Sequence, residues 1–78
     1  MDTRSVKDAI REVVENQLRD GDPAETRETL DRLVASGLDR EQAVDLIGQA
    51  VVDEINEILK DRQPFNRARF AERLGRLR

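Results

Sequence analysis

Apolar positions recur every three or four residues through most of the chain, and turn-forming residues interrupt that rhythm at three places. On a helical wheel, Val6, Ala9, Ile10, Val13, Val14 and Leu18 fall on one half of the circumference, with Asp8, Glu12, Glu15 and Arg19 on the other. This predicts an amphipathic helix over about residues 5–20, ended by Gly21. Asp22 then suits an N-cap, Pro23 the first helical position and Glu25 the reciprocal position of a capping box. A second helix is expected over about residues 23–36, burying a narrow stripe of Leu30, Leu33 and Val34 with Thr26 and Thr29 at its edge. Gly37 suits a left-handed Schellman end, with Leu38 folded back on Leu33. Asp39 caps the next helix, and Gln42 stands where it can return the bond.

That third helix, over about residues 40–60, carries the widest apolar arc. Ala43, Val44, Leu46, Ile47, Ala50, Val51, Val52, Ile55, Ile58 and Leu59 span about 240° of its surface. An arc that wide has to meet neighbours on more than one side, so this helix is expected at the centre. Gly48 lies within the arc and costs about 1 kcal/mol against alanine there, which points to close approach of another helix. Pro64 ends the helix, because the residue before proline avoids the α region. Asn66 can cap a short last helix over about residues 67–76, with Phe65 and Phe70 as a hydrophobic staple and Phe70, Leu74 and Leu77 as its buried line. The expected fold is all-α: a small antiparallel helical bundle of three main helices plus a short C-terminal one, in a single domain over residues 1–78. The first helix has two open placements, back against the second or paired with another subunit.

Composition narrows the picture. Apolar residues make up 37% and charged residues 40%, and Phe65 and Phe70 are the only aromatic side chains, so the core must be mainly aliphatic. A core of this size rarely supplies more than about 3–5 kcal/mol. Without Cys or His there is no disulfide and no usual zinc set, so tight packing or self-association has to add to it. No apolar run approaches a membrane span, and Met1 followed by polar residues reads as a native start without a signal-peptide pattern. A cytoplasmic bacterial or archaeal protein without a membrane segment is expected. The net charge of −3 is unevenly spread: residues 39–63 carry three cationic and seven acidic side chains, and residues 64–78 five and one.

Three features are candidates for chemistry. Arg69, Arg73 and Arg76 follow the i, i+4, i+7 spacing of one helix face. Such a row can follow phosphates, or it can dock on the acidic surface of the third helix. No aromatic residues are interleaved for base stacking, which favours docking. Glu54 projects into the apolar arc among Ala43, Ile47, Ala50 and Ile58, so it requires an arginine partner, a proton or an interface. Gly48 marks the close approach. An enzyme is not expected, since the commonest general base and the thiolate nucleophile are both missing, and no cofactor or metal is implied.

The segment Leu33-Val34-Ala35-Ser36-Gly37-Leu38 followed by Ala43 and Leu46 is spaced somewhat like a DNA-binding helix-turn-helix, but Asp39, Glu41 and Asp45 would repel phosphates. It also resembles the loop of ubiquitin-associated domains, whose second helix is much shorter. A longer resemblance runs from Asp22-Pro23-Ala24-Glu25-Thr26 through Leu33, Gly37-Leu38, Glu41-x-Ala43, Leu46-Ile47-Gly48, Glu54-Ile55 and Leu59 to Pro64-Phe65. It is similar to small bacterial helical modules of unknown function, which often carry His where this chain has Asp45. The resemblance implies a helical fold and no activity. The function expected is a protein-interaction or assembly module that associates with itself or another protein through apolar surface of the first and third helices. The alternative is weak nucleic-acid binding through the Arg69, Arg73 and Arg76 face.

Overall fold

A computed structural model describes residues 5–77, and among them the chain forms four α-helices and no strand. They are α1 (Val6–Asp20), α2 (Ala24–Ala35), α3 (Arg40–Asp61) and α4 (Arg67–Gly75). Each boundary lies within a residue or so of the one expected, because most of the end signals are local. Ser5 caps α1 by accepting from the Asp8 amide, and the chain leaves that helix at Gly21 with the Asp22 amide donating to the Gln17 carbonyl. At the end of α2 the Leu38 amide donates to the Leu33 carbonyl and the Gly37 amide to that of Val34, the two bonds of a Schellman motif. Gly37 adopts φ 112°, which a side chain would strain. Asp39 and Gln42 complete the expected capping box on α3. Asn66 caps α4, and the rings of Phe65 and Phe70 stand 5.7 Å apart across its start.

One boundary is built differently. Pro23 is extended, with φ −74° and ψ 150°, so it is itself the residue before the helix, which begins at Ala24. Asp22 does not cap α2, and Glu25 turns to Arg67 of α4 at 3.1 Å instead of closing a capping box. The Pro23 carbonyl accepts from the Thr26 amide and starts the turn without help from a side chain.

α3 runs unbroken through Gly48 and packs against α1, α2 and α4 in turn. Its Ala43, Val44, Ile47, Ala50 and Val51 form the middle of the core, with Val14 and Leu18 from α1, Leu30 and Leu33 from α2, and Phe70 and Leu74 from α4. α1 is held within the chain, on α3 and α2. α4 runs in the same direction as α2. Arg67 at its start reaches Glu25 at the start of α2, and Arg32 near the end of α2 donates to the Leu74 and Leu77 carbonyls at its end.

Two faces are turned otherwise than the wheel suggested. On α2, Thr26 and Thr29 are buried and Val34 is exposed. The Thr26 hydroxyl donates to Gln17 Oε1 at 2.8 Å, so its polar atom enters the core already satisfied. On α1, Val14 and Leu18 are buried and Ile10 is partly so, while Val6, Ala9 and Val13 face solvent. The cause is the way α1 crosses α3. Lys7, Arg11 and Glu15 meet the beginning of α3 at Asp45 and Arg40, whereas Val13 and Gln17 look towards Val51, Glu54 and Ile55.

Candidate functional site

Glu54 is 2% exposed and is the most deeply buried charged group among the described residues. Arg69, in the first turn of α4, donates to it through Nε at 2.9 Å and Nη2 at 2.6 Å, a bidentate pairing of planar groups. The Asn66 amide adds a third bond at 3.3 Å. Arg73 follows one turn later, its Nε 3.6 Å from Glu54 and its Nη2 3.6 Å from Glu57. That Nε is buried without a hydrogen bond, so Arg73 contributes charge to the cluster more than a directed contact. The Arg69 bond holds the Glu54 carboxyl below the ordinary value of 4.5; burial opposes this, and the Asn66 amide and Arg73 add to the lowering. Glu54 is therefore a saturated, charged group closed off by α4 of its own chain.

The arginine row accordingly faces inward for two of its three members. Arg69 and Arg73 are consumed by the acids of α3, and Arg76 lies outside on Glu72 of its own helix. Gly48 belongs to a different place. A Cβ built on it would stand 3.0 Å from Ile10 Cγ2, so the missing side chain is what lets α1 lie across α3. Next to that crossing, Arg40 grips Glu15 at 2.6 and 2.8 Å and lowers its carboxyl pKa.

Beside the same crossing the surface is concave and apolar. One hollow of about 390 Å³ has Val6, Ile10, Val44, Gly48 and Val52 as its apolar lining, rimmed by Lys7, Arg11, Asp45 and Gln49. A second, of about 180 Å³, is enclosed by Val13, Gln17, Val51, Ile55, Ile58 and Phe65 over Glu54 and Phe70. Between and beyond them run the free side chains of Ile55 and Leu59, 39% and 72% exposed. Of the six large hydrophobic side chains exposed among the described residues, four (Val6, Val13, Ile55 and Phe65) line these two hollows, Leu59 follows Ile55 one turn along α3, and Val34 lies apart on α2. Scattered exposed hydrophobics are ordinary, whereas a contiguous group marks a contact surface. The width of the α3 arc was the signal in the sequence for this face; which side chains stay uncovered depends on the crossing angle of α1.

Among the described residues no helix is long and apolar enough to cross a membrane. Comparison with protein-family models, with curated proteins and with solved structures finds no match.

Proposed function

We propose that this chain is an assembly module that associates with itself by covering the α1–α3 face. The observation that carries the reading is the pair of apolar hollows along α1 and α3, one with Val6 and the other with Val13, Ile55 and Phe65 exposed in its lining, and Leu59 exposed one turn beyond Ile55. The core supports it, since a small, mainly aliphatic core without cysteine to cross-link it gains from further burial. A catalytic role has less behind it. The buried carboxylate is already bonded on both oxygens and has its pKa lowered, which makes it a poor general base. Binding of phosphates by the arginine row likewise loses support, since Arg69 and Arg73 are turned onto Glu54 and Glu57. The setting proposed with this reading is the cytoplasm, without cofactor.

Sedimentation of the full chain from about 1 to about 500 µM tests the proposal. The expected result is a concentration-dependent rise from 8.9 kDa towards twice that mass. Leu59→Asp should return the protein to monomer while leaving its helical circular dichroism intact, because Leu59 touches little in the isolated chain. A wild-type protein that stays monomeric throughout would refute it.

A further inference from the structure

The free half of α3 has the pattern of a short antiparallel helix pair. Val52, Ile55, Asn56 and Leu59 occupy the i, i+3, i+4 and i+7 positions of one helix face, and all but the partly buried Val52 are exposed. Asp53 and Lys60 flank this ridge on one side, a turn away from it in either direction. Lys60 forms no ion pair among the described residues, and Asp53 accepts a 3.3 Å bond from Gln49.

We infer that the occupant of the α1–α3 face is a second copy whose α3 lies antiparallel along this ridge, about a two-fold axis near Asn56. The inference rests on the self-association proposed above and adds its register. A two-fold axis across an antiparallel helix pair brings the same side of each helix together, so whatever flanks the ridge must be complementary to itself. Asp53 and Lys60 satisfy that condition: they lie on one side, carry opposite charges and stand almost equally far from Asn56 in opposite directions. Each Lys60 then meets Asp53 of the second copy, and one contact occurs twice. Leu59 of each copy enters the space between Val52 and Ile55 of the other, where a knob meets the apolar ground it needs. Asn56 carries both a donor and an acceptor, so two copies can bond to each other at the axis. A parallel pair about a two-fold axis brings opposite sides of the two helices together, so Lys60 and Asp53 find no partner in each other across it.

Charge exchange reads this register directly. In sedimentation of the full-length protein, Lys60→Asp and Asp53→Lys should each weaken the dimer by about 10- to 100-fold, since each places two like-charged contacts at the interface. The double variant D53K/K60D should recover most of the wild-type affinity. Circular dichroism of the same samples reports that the substitutions at half-buried Asp53 and exposed Lys60 leave the fold in place. Recovery in the double variant supports the register. A dimer that Leu59→Asp dissociates but that ignores the charge changes, or single losses without recovery, overturns the register while leaving self-association through this face standing. A monomeric wild type, or a dimer indifferent to Leu59→Asp, overturns both.

Discussion

Glu54 shows how a single inward-facing charge organises its surroundings. Its side chain was legible as a conflict, because a carboxylate among Ala43, Ile47, Ala50 and Ile58 has no place in an aliphatic arc unless it is answered. Which arginine answers it was not legible, since Arg69 arrives from another helix after a loop whose path no local signal fixes. Glu54→Gln keeps the shape and removes the counter-charge of Arg69 and Arg73. It is expected to cost about 2–4 kcal/mol at neutral pH, less than a fully buried pair because both arginines keep part of their side chains in water. The sign of the pH dependence follows from linkage. The folded pKa of Glu54 lies below its unfolded value of 4.5, so the stabilisation is complete above that value and is lost as pH falls through the folded pKa. Urea denaturation at neutral and at acid pH should therefore show the gap between wild type and Glu54→Gln closing in acid; a gap of constant size would contradict the ion-pair account. Gly48 invites a second test. Alanine there gains about 1 kcal/mol of helix propensity but meets Ile10 Cγ2 at 3.0 Å, so Gly48→Ala should shift the melting free energy by less than about 1 kcal/mol. Gly48→Leu lifts α1 away from α3 and should cost more than about 2 kcal/mol.

At the level of elements, the ends of the helices were legible wherever the controlling atoms lie within a few residues of each other. Ser36-Gly37-Leu38-Asp39 and its Gln42 satisfy one another without reference to the rest of the protein. Asp22-Pro23-Ala24-Glu25 shows the limit of such reading. Proline fixes φ and leaves ψ free, so the same four residues serve a helix that starts at Pro23 or one that starts after it. Here ψ is 150°, and the choice goes with Glu25 being taken by Arg67. The two caps consequently differ in weight. Asp39→Ala should lower stability by about 1 kcal/mol through loss of the bonded cap, whereas Asp22→Ala should change it by less than about 0.5 kcal/mol. Thermal melts of the two variants side by side decide this, and equal losses would restore Asp22 as a cap.

For the molecule as a whole, the class of fold followed from periodicity, and the exposure of individual side chains did not. Val13 and Val34 sit at apolar positions of their wheels yet face water, while Thr26 and Thr29 are buried, because crossing geometry and one Thr26–Gln17 bond decide which flank turns inward. A small core with an uncovered apolar face predicts a melting temperature that rises with protein concentration, and a calorimetric scan over a hundredfold dilution (~2 orders of magnitude) checks it. Leu59→Asp should abolish that dependence. The attachment of α4 has a further result. A nine-residue helix ordinarily unravels ahead of the longer ones. This one is tethered at its first turn by Glu25, along its length by Glu54, and at its last carbonyls by Arg32. Both the first and the last turn of α4 are therefore held. Its amide protons should accordingly exchange with deuterium only when the entire bundle opens, as slowly as those in the middle of α3, and Arg32→Ala should release the final turn first.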